Sequence, residues 1–161
     1  METAHVHSIV YQPRDTRNAG VHATEAVGPF HRVPIDRVML RESHGIEGDR
    51  KAGRSRKRQV NLLLREWLMV REREGYRIEP GAFGEQLVIA GLAGQSLRPG
   101  TRLQIGSTAV LELTMPRTGC ERLQGAQRRE DPLLLGHIGY LARVVASGVI
   151  AIGDVVLIGG L

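Results

Sequence analysis

The sequence contains a single cysteine, Cys120, among 161 residues. One thiol cannot form an intramolecular disulfide, build a thiolate zinc site or hold an iron–sulfur cluster, because each of these needs several cysteines. A secreted domain stabilised by intramolecular disulfides is therefore excluded. A reducing, cytoplasmic setting is the expectation.

Long hydrophobic runs are also missing, since no segment approaches the ~18 apolar residues that a transmembrane helix needs. The first residues, Met1 to His5, contain no basic segment leading into an apolar one. We therefore expect no secretory signal and no membrane association. Aromatic residues are few, with one Trp, three Tyr and two Phe. Stacking platforms for single-stranded nucleic acid are correspondingly scarce.

Positive charge is in excess, with a net charge of +5, and every basic residue except Lys51 and Lys57 is arginine. Guanidinium groups bind phosphate bidentately, so anion recognition is one interpretation, and a biased genomic base composition is the other. The charge is concentrated in residues 50–58, here called the basic cluster, which contains no acid. The basic cluster also suggests the hypothesis of a nucleic-acid-binding module. We regard this hypothesis as the weaker one, because the cluster contains no recognisable nucleic-acid-recognition motif.

Twenty glycines between alternating apolar segments predict many short strands. The spacing of apolar residues in 59–74 fits a helix, or a strand that gives way to a helix near Leu64 and ends before Gly75. Strands are predicted at residues 5–11, 35–42, 86–90, 102–105, 109–114, 140–146 and 154–158, a loop at 14–29, and a short helix at 121–128. The pattern favours a single mainly-β domain over residues 1–161, with a core of about 30–160, closed as a barrel.

Cys120 lies in the run Pro116-Arg117-Thr118-Gly119-Cys120-Glu121-Arg122. Pro116 and Gly119 predict a loop before the cysteine. Nearby Arg117 and Arg122 would favour the thiolate, as would a helix starting after the cysteine, and thiolate is the form that attacks sulfur or binds a soft metal. The alternative from the residues alone is an inert, packed cysteine.

Two glycine-bracketed turns could approach an anion with their backbone N–H groups. The first turn contains Gly48, Asp49 and Arg50, and the second contains Gly84 and Glu85. Each turn could equally be a plain connection between elements, and Glu85 could be an acid, a base or an exposed turn residue.

His137 is the only histidine in a segment that invites a functional interpretation, Gly136-His137-Ile138-Gly139. Histidine is a common general acid or base, so this residue could handle protons. A packed or surface histidine is the simpler alternative.

Taken in chain order, these segments resemble the MOSC family (molybdenum cofactor sulfurase C-terminal domain). The matching motifs are G-x-x-G-D at residues 45–49, R-Q-V at 58–60, P-G-x-x-G-E at 80–85, a glycine-bounded strand pair at 97–113, P-R-x-x-C at 116–120 and a closing stretch at 136–156. The match covers nearly the whole chain. It departs from the family pattern at Lys51, where the family often has His, and at Gln86, where Asn is common.

The resemblance implies the family's β-barrel with a few helices, Cys120 as its characteristic thiol, and a role linked to the molybdenum-pterin cofactor. The leading hypothesis is a sulfur carrier that holds a persulfide on Cys120. Cations would then attract the cofactor phosphate, glycine N–H groups would approach it, and the two acids would orient the arginines. The implied binding residues are Gly48, Asp49, Arg50, Lys51, Arg58, Gly84, Glu85, Arg117, Gly119, Arg122 and His137.

A second hypothesis within the family makes Cys120 a molybdenum ligand in a component of a reductase that acts on N-hydroxylated compounds. Electrons would come from a separate flavin or iron–sulfur reductase. On either hypothesis this chain has no room for a pyridoxal-phosphate domain. Sulfur would therefore come from a cysteine desulfurase partner or a small donor, and a molybdoenzyme is a candidate acceptor.

Overall fold

The computed structural model describes residues 2–14 and 32–159. The strands in these ranges are β1 (His5–Tyr11), β2 (Val33–Ile35), β3 (Arg37–Arg41), β4 (Gly45–Ile46), β5 (Val60–Leu64), β6 (Leu87–Ala90), β7 (Arg102–Ile105), β8 (Ala109–Thr118), β9 (His137–Ala146), β10 (Gly148–Ala151) and β11 (Val156–Gly159). The helices are α1 (Arg65–Arg73), α2 (Glu121–Gln127) and a 3-10 helix (Pro132–Leu135). Apart from Arg14, the loop predicted for residues 14–29 lies outside the described residues.

The strands form two sheets rather than a closed barrel, so the prediction of closure is wrong. The large sheet has the order β11-β7-β8-β9-β5-β6-β1-β2, and the small sheet has the order β10-β3-β4. A single isolated bridge between His5 and Val155 connects the β1 side of the large sheet to the segment before β11. Closure needs a continuous ladder with a fixed stagger, and one bridged pair does not supply it.

The large sheet is buried on both faces in its centre. Leu62 and Leu87 point into a core shared with Leu40 of the small sheet, while Leu63 and Val88 point into a second core under the helices. The parallel pair β5–β6 therefore consists of nearly continuous apolar residues, as strands covered on both sides do.

Several elements match the sequence-based predictions. β1 and β7 have the predicted bounds, and the ambiguous stretch is the strand β5 followed directly by α1. α2 ends at Gln127, one residue before the predicted end, because Arg128 adopts a left-handed conformation (φ 53°). A left-handed residue is a common way for a helix to stop.

The loop predicted around Pro116 is wrong, because β8 continues through it to Thr118. β7 pairs with β8 only as far as Glu112, so Pro116 lies where β8 has a single neighbour, β9. A proline is tolerated there because it need not donate to a second ladder. The extra length of β8 carries the chain directly to Cys120.

The remaining differences concern strand ends and short strands, and β9 begins at His137 rather than at the predicted residue 140. The predicted strand over residues 35–42 is divided at Asp36 into β2 and β3, and the last strand starts at Val156 rather than at 154. The sequence did not indicate β4 or β10, which join β3 in the small sheet. No helix in the described ranges is long and apolar enough to span a membrane.

Candidate functional site

Cys120 is separated from the end of β8 by one residue and lies at the N-cap position of α2, with its side chain exposed and making no capping hydrogen bond. Gly119 makes this placement possible, because it has no side chain to collide with the 3-10 helix. Its N–H donates to the Gly136 oxygen at 2.9 Å. A Cβ on Gly119 would lie 1.6 Å from the Leu134 carbonyl oxygen. The chain before the cysteine is thus packed against the end of the 3-10 helix more closely than any other residue would allow.

Cys120 lines a cavity of about 570 Å³, here called the cysteine cavity. Its walls come from β5, from the segment before β6, from the end of β8 and from the loop of the basic cluster. Six cationic side chains line it: Arg32, Lys51, Arg54, Arg58, Arg117 and Arg122. The volume is that of a small-molecule site.

A smaller basic cavity of about 340 Å³, here called the side cavity, shares residues with it. Arg32, Lys51, Arg54 and Arg122 line both cavities, and the side cavity is completed by Gln12 and Arg50. Since each shared side chain borders two cavities, an anion entering either one lies beside the same four cationic side chains.

Arg32 is the buried cation of the site, with 1% of its surface exposed. Its Nη1 lies 3.9 Å from an oxygen of Asp49, too far for a hydrogen bond, and neither Nε nor Nη1 has a hydrogen-bond partner among the residues that the structure describes. Burial lowers the pKa of Arg32, and Arg122 lowers it further against the opposing charges of Asp49 and Glu85. A buried donor without a partner is costly, so two on one side chain indicate a place for a ligand acceptor.

Arg117 supplies another unpartnered donor to the cysteine cavity. Its Nη2 donates to the Phe83 carbonyl, and its Nη1 is buried without a partner. Burial lowers the pKa of Arg117 to about 10, and the charge of Arg32 also lowers it, while Glu85 and Cys120 oppose the shift. Arg117 therefore remains charged at neutral pH and interacts electrostatically with the cysteine.

Gln86 and Asn61 add one donor and one acceptor to the same cavity. The Gln86 Oε1 accepts from the Asn61 backbone N–H at 2.9 Å, which leaves the Gln86 Nε2 without a partner. The Asn61 Nδ2 donates to the Gly84 oxygen at 3.3 Å, which leaves the Asn61 Oδ1 without one. A ligand with both acceptors and donors would satisfy these two groups.

Asp49 and Glu85 stabilise two loops beside the cations by accepting hydrogen bonds from backbone N–H groups. The Asp49 carboxylate accepts from the backbone N–H of Gln12 (2.9 Å) and of Lys51 (2.8 Å). The Glu85 carboxylate accepts from Gly81 N–H (2.8 Å) and Phe83 N–H. Burial raises the pKa of Glu85, while hydrogen bonds from its own backbone N–H and from that of Gly81, and the charges of Arg117 and Arg32, lower it. Both acids are buried and neither lines the cysteine cavity.

Lys51 lines both cavities although much of its side chain is exposed. Burial of its inner part lowers its pKa, and Arg32, Arg122 and Arg117 lower it further, while Asp49 opposes them. The cations of the site therefore repel one another, and an anion placed among them would relieve that repulsion.

The structure brings together only part of the set that the sequence predicted. Cys120 and six of the predicted binding residues line the cysteine cavity: Lys51, Arg58, Gly84, Arg117, Gly119 and Arg122. Arg50 lines the side cavity but not the cysteine cavity.

Gly48 and His137 lie outside both cavities. Gly48 lies beside the ring of Tyr11. The exposed His137 contacts the Gly139 oxygen through Nε2 (2.7 Å) and meets the ring of Tyr140 edge-on. The simpler interpretation of His137, a surface histidine, describes its position.

Sequence reasoning missed Arg32, Asn61 and Gln86 as site residues. No local motif marks Arg32, whose position depends on contacts with Asp49 and Gly81, both distant along the chain. Within residues 2–14 and 32–159, no group of three or more His, Cys, Asp or Glu side chains could hold a metal ion.

Comparison with solved structures finds several proteins with a similar fold. The fold is similar to that of YiiM from Geobacillus stearothermophilus, with a TM-score of 0.69, 21% identity, and coverage of 98% of this chain and 75% of that one. YiiM from Escherichia coli gives a TM-score of 0.66 and 22% identity over 98% of this chain and 70% of its own. The YuaD protein from Bacillus subtilis gives 0.68 and 19% identity over 96% and 94%.

A sequence search of the curated proteins finds no match. The family model for the MOSC domain matches residues 49–157, a span that includes β5, β8, Cys120 and most of the cationic side chains around the cysteine cavity. The chain belongs to the MOSC domain family.

Proposed function

We propose that this MOSC protein is a sulfur carrier associated with molybdenum-cofactor chemistry, and that Cys120 holds the sulfur as a persulfide. The observation that carries the proposal is the cysteine cavity. An exposed thiol shares it with three buried donor atoms, Arg32 Nε, Arg32 Nη1 and Arg117 Nη1, which have no hydrogen-bond partner within residues 2–14 and 32–159.

The chemistry of the cavity suits a persulfide. The terminal sulfur of an ionised persulfide carries negative charge, and the guanidinium of Arg117 interacts electrostatically with the Cys120 sulfur. Arg117 keeps its charge at neutral pH because its pKa is about 10. The lining also leaves the thiol accessible, so that sulfur can be delivered and removed.

The residues around Cys120 also fit a molybdenum-pterin cofactor. Its phosphate would lie among the unpartnered guanidinium donors of Arg32 and Arg117, and its pterin would use the free Asn61 Oδ1 and Gln86 Nε2. Cys120 would be the soft metal ligand. When bound, the cofactor supplies the redox chemistry of its metal, and the protein supplies position and charge.

Persulfide formation is tested by loading the protein with a cysteine desulfurase and cysteine and weighing it intact. We expect a mass increase of one sulfur atom on the wild type and none on Cys120→Ser, because the chain has no other cysteine. No adduct on the wild type, or an equal adduct on Cys120→Ser, would remove the carrier function.

The second candidate function is that of a cofactor-binding component of a reductase. It is favoured by the volume of the cysteine cavity and by the unpartnered donor Gln86 Nε2 and acceptor Asn61 Oδ1 within it. The protein would be made in a host that synthesises the cofactor, and its metal content measured. Molybdenum near one per chain that is lost in Cys120→Ala supports this role. Metal-free protein that still loads sulfur supports the carrier.

Nucleic-acid binding is less well supported than either role. Four of the six cations of the basic cluster, Arg50, Lys51, Arg54 and Arg58, line the two cavities. Side chains in concave cavities are suited to small anions rather than to the backbone of a duplex. Retention on heparin without a discrete DNA or RNA complex would be the expected behaviour.

A further inference from the structure

We propose that the cysteine cavity takes its sulfur directly from a small sulfur-bearing oxyanion, of which thiosulfate is the simplest, so that the protein loads itself without a desulfurase. This inference rests on the proposed carrier function of Cys120. It adds the chemical class of the donor, and it assigns Arg32 as the residue that binds the donor's oxyanion.

All but one of the unsatisfied groups of the cavity match the oxyanion end of such a donor, the exception being the acceptor Asn61 Oδ1. Four buried N–H groups there lack partners in the described part of the chain: Arg32 Nε, Arg32 Nη1, Arg117 Nη1 and Gln86 Nε2. All four require acceptors, and three belong to cations. A sulfonate group presents three acceptor oxygens and negative charge, whereas cysteine itself brings an ammonium group that these cations would repel.

The cations also serve the bond changes. The Cys120 thiolate attacks the outer sulfur of thiosulfate, a new S–S bond forms to the cysteine, and the S–S bond of thiosulfate breaks. The electron pair of the broken bond leaves with sulfite, so charge and electrons balance without an external oxidant. Arg32 and Arg117 would stabilise the charge that grows on the departing sulfite, because fixed cations in a poorly solvated site act strongly there.

The four shared side chains place positive charge around the approach to the thiol. Arg32, Lys51, Arg54 and Arg122 border both the side cavity and the cysteine cavity. An oxyanion in either cavity therefore lies beside cations that also border the other. This arrangement raises the local concentration of small anions near Cys120.

The test compares an anionic donor with an uncharged thiol reagent. The protein is incubated with thiosulfate, and the persulfide is measured by intact mass and by transfer of its sulfur to cyanide as thiocyanate. For Arg32→Gln we expect the KM for thiosulfate to rise by about tenfold or more, since a charge-assisted hydrogen-bonding group is lost. Alkylation of Cys120 by uncharged iodoacetamide should keep its wild-type rate.

A second pair of variants covers the case in which Arg32→Gln does not fold. Arg54→Gln removes an exposed cation that lines both cavities, and Arg56→Gln removes the same charge from the same loop at a position that lines neither. Arg54→Gln should raise the KM for thiosulfate, whereas Arg56→Gln should leave it unchanged. Equal effects of the two variants would overturn the assignment of the donor site.

The outcomes separate this inference from the carrier function itself. If a desulfurase loads Cys120 but thiosulfate does not, the oxyanion donor is wrong and the carrier remains. If neither loads it, both are wrong. If Arg32→Gln slows alkylation as much as thiosulfate loading, Arg32 acts on the thiol or the fold, and its role in binding the donor is refuted.

Discussion

Gly119→Ala is the sharpest test of how the fold positions Cys120. An added Cβ would lie 1.6 Å from the Leu134 oxygen and 3.3 Å from a methyl carbon of Leu123. The first obstacle is a backbone carbonyl, which cannot rotate away as a side chain could. Overpacking of this kind costs roughly 1–3 kcal/mol, and only a few tenths to about 1 kcal/mol returns because alanine restricts the unfolded chain.

We therefore expect Gly119→Ala to lower the free energy of unfolding by about 2 kcal/mol. For a chain of this length the melting temperature should fall by roughly 4–8 °C. Urea denaturation followed by circular dichroism measures the free energy. Iodoacetamide labelling under native conditions reports whether Cys120 has moved.

Gly125→Ala is the matched control, because Gly125 lies in α2 and a Cβ there meets nothing within 4 Å. Alanine favours a helix interior over glycine, so this variant should gain about 0.5–1 kcal/mol. If Gly119→Ala is as stable as the wild type, the close approach to the 3-10 helix is refuted. The same conclusion follows if the two variants change stability alike.

Two further predictions concern residues at other places in the fold. Burial alone would raise the pKa of Glu112, but hydrogen bonds from Arg102 and Arg143 outweigh it and hold the pKa below its usual 4.5. Glu112→Gln should cost roughly 0.5–1 kcal/mol at neutral pH. The difference should disappear as the pH falls through the folded-state pKa, because the wild type then loses the same charge; a difference that persists at low pH contradicts this assignment. His137→Ala should leave both sulfur loading and alkylation of Cys120 unchanged, because His137 lies outside both cavities, and a measured loss in either would restore the role that the sequence predicted.

The sequence predicted individual strands better than it predicted whether the sheet closes into a barrel. Alternation of apolar residues identified β1 and β7 because a period of two reports which face is buried. Closure depends on whether distant strands form a ladder, and here His5 and Val155 form one isolated bridge. Nothing in the local pattern of either segment distinguishes one bridge from a complete ladder.

Residues of the site were predictable where a short motif contained them. Cys120, Arg117 and Gly119 share one segment, and all three line the cysteine cavity. Arg32 belongs to no such segment. Its Cβ lies close to Gly81, where a second Cβ would approach within 3.1 Å, and its charge faces Asp49. Only the folded arrangement of three separate stretches makes it the buried cation of the cavity.

The two positions where the sequence departs from the family pattern both line the cysteine cavity. Lys51 adds a cation beside Arg32, and Gln86 uses its Oε1 to hold the Asn61 backbone while its Nε2 stays without a partner. Lys51 therefore places a positive charge where the family often has His, while Gln86 keeps the amide group of the Asn that it replaces.

Oxyanions should stabilise the folded protein in a saturable way, whatever ligand the cavity serves. The charge of Arg32 lowers the pKa of both Lys51 and Arg117, and Arg122 lowers that of Arg32, so an anion that binds among these cations stabilises them. At a concentration of 100 times its dissociation constant, a ligand adds about 2.7 kcal/mol to the free energy of unfolding. For this chain length that is a rise of roughly 5–10 °C in melting temperature. Differential scanning fluorimetry in sulfate or phosphate measures it, with chloride at equal ionic strength as the control. Arg54→Gln should reduce the shift and Arg56→Gln should preserve it, because only Arg54 lines the cavities. If chloride stabilises the protein equally, or if the shift grows without saturating, the anions act by general screening and the cavity is not their site.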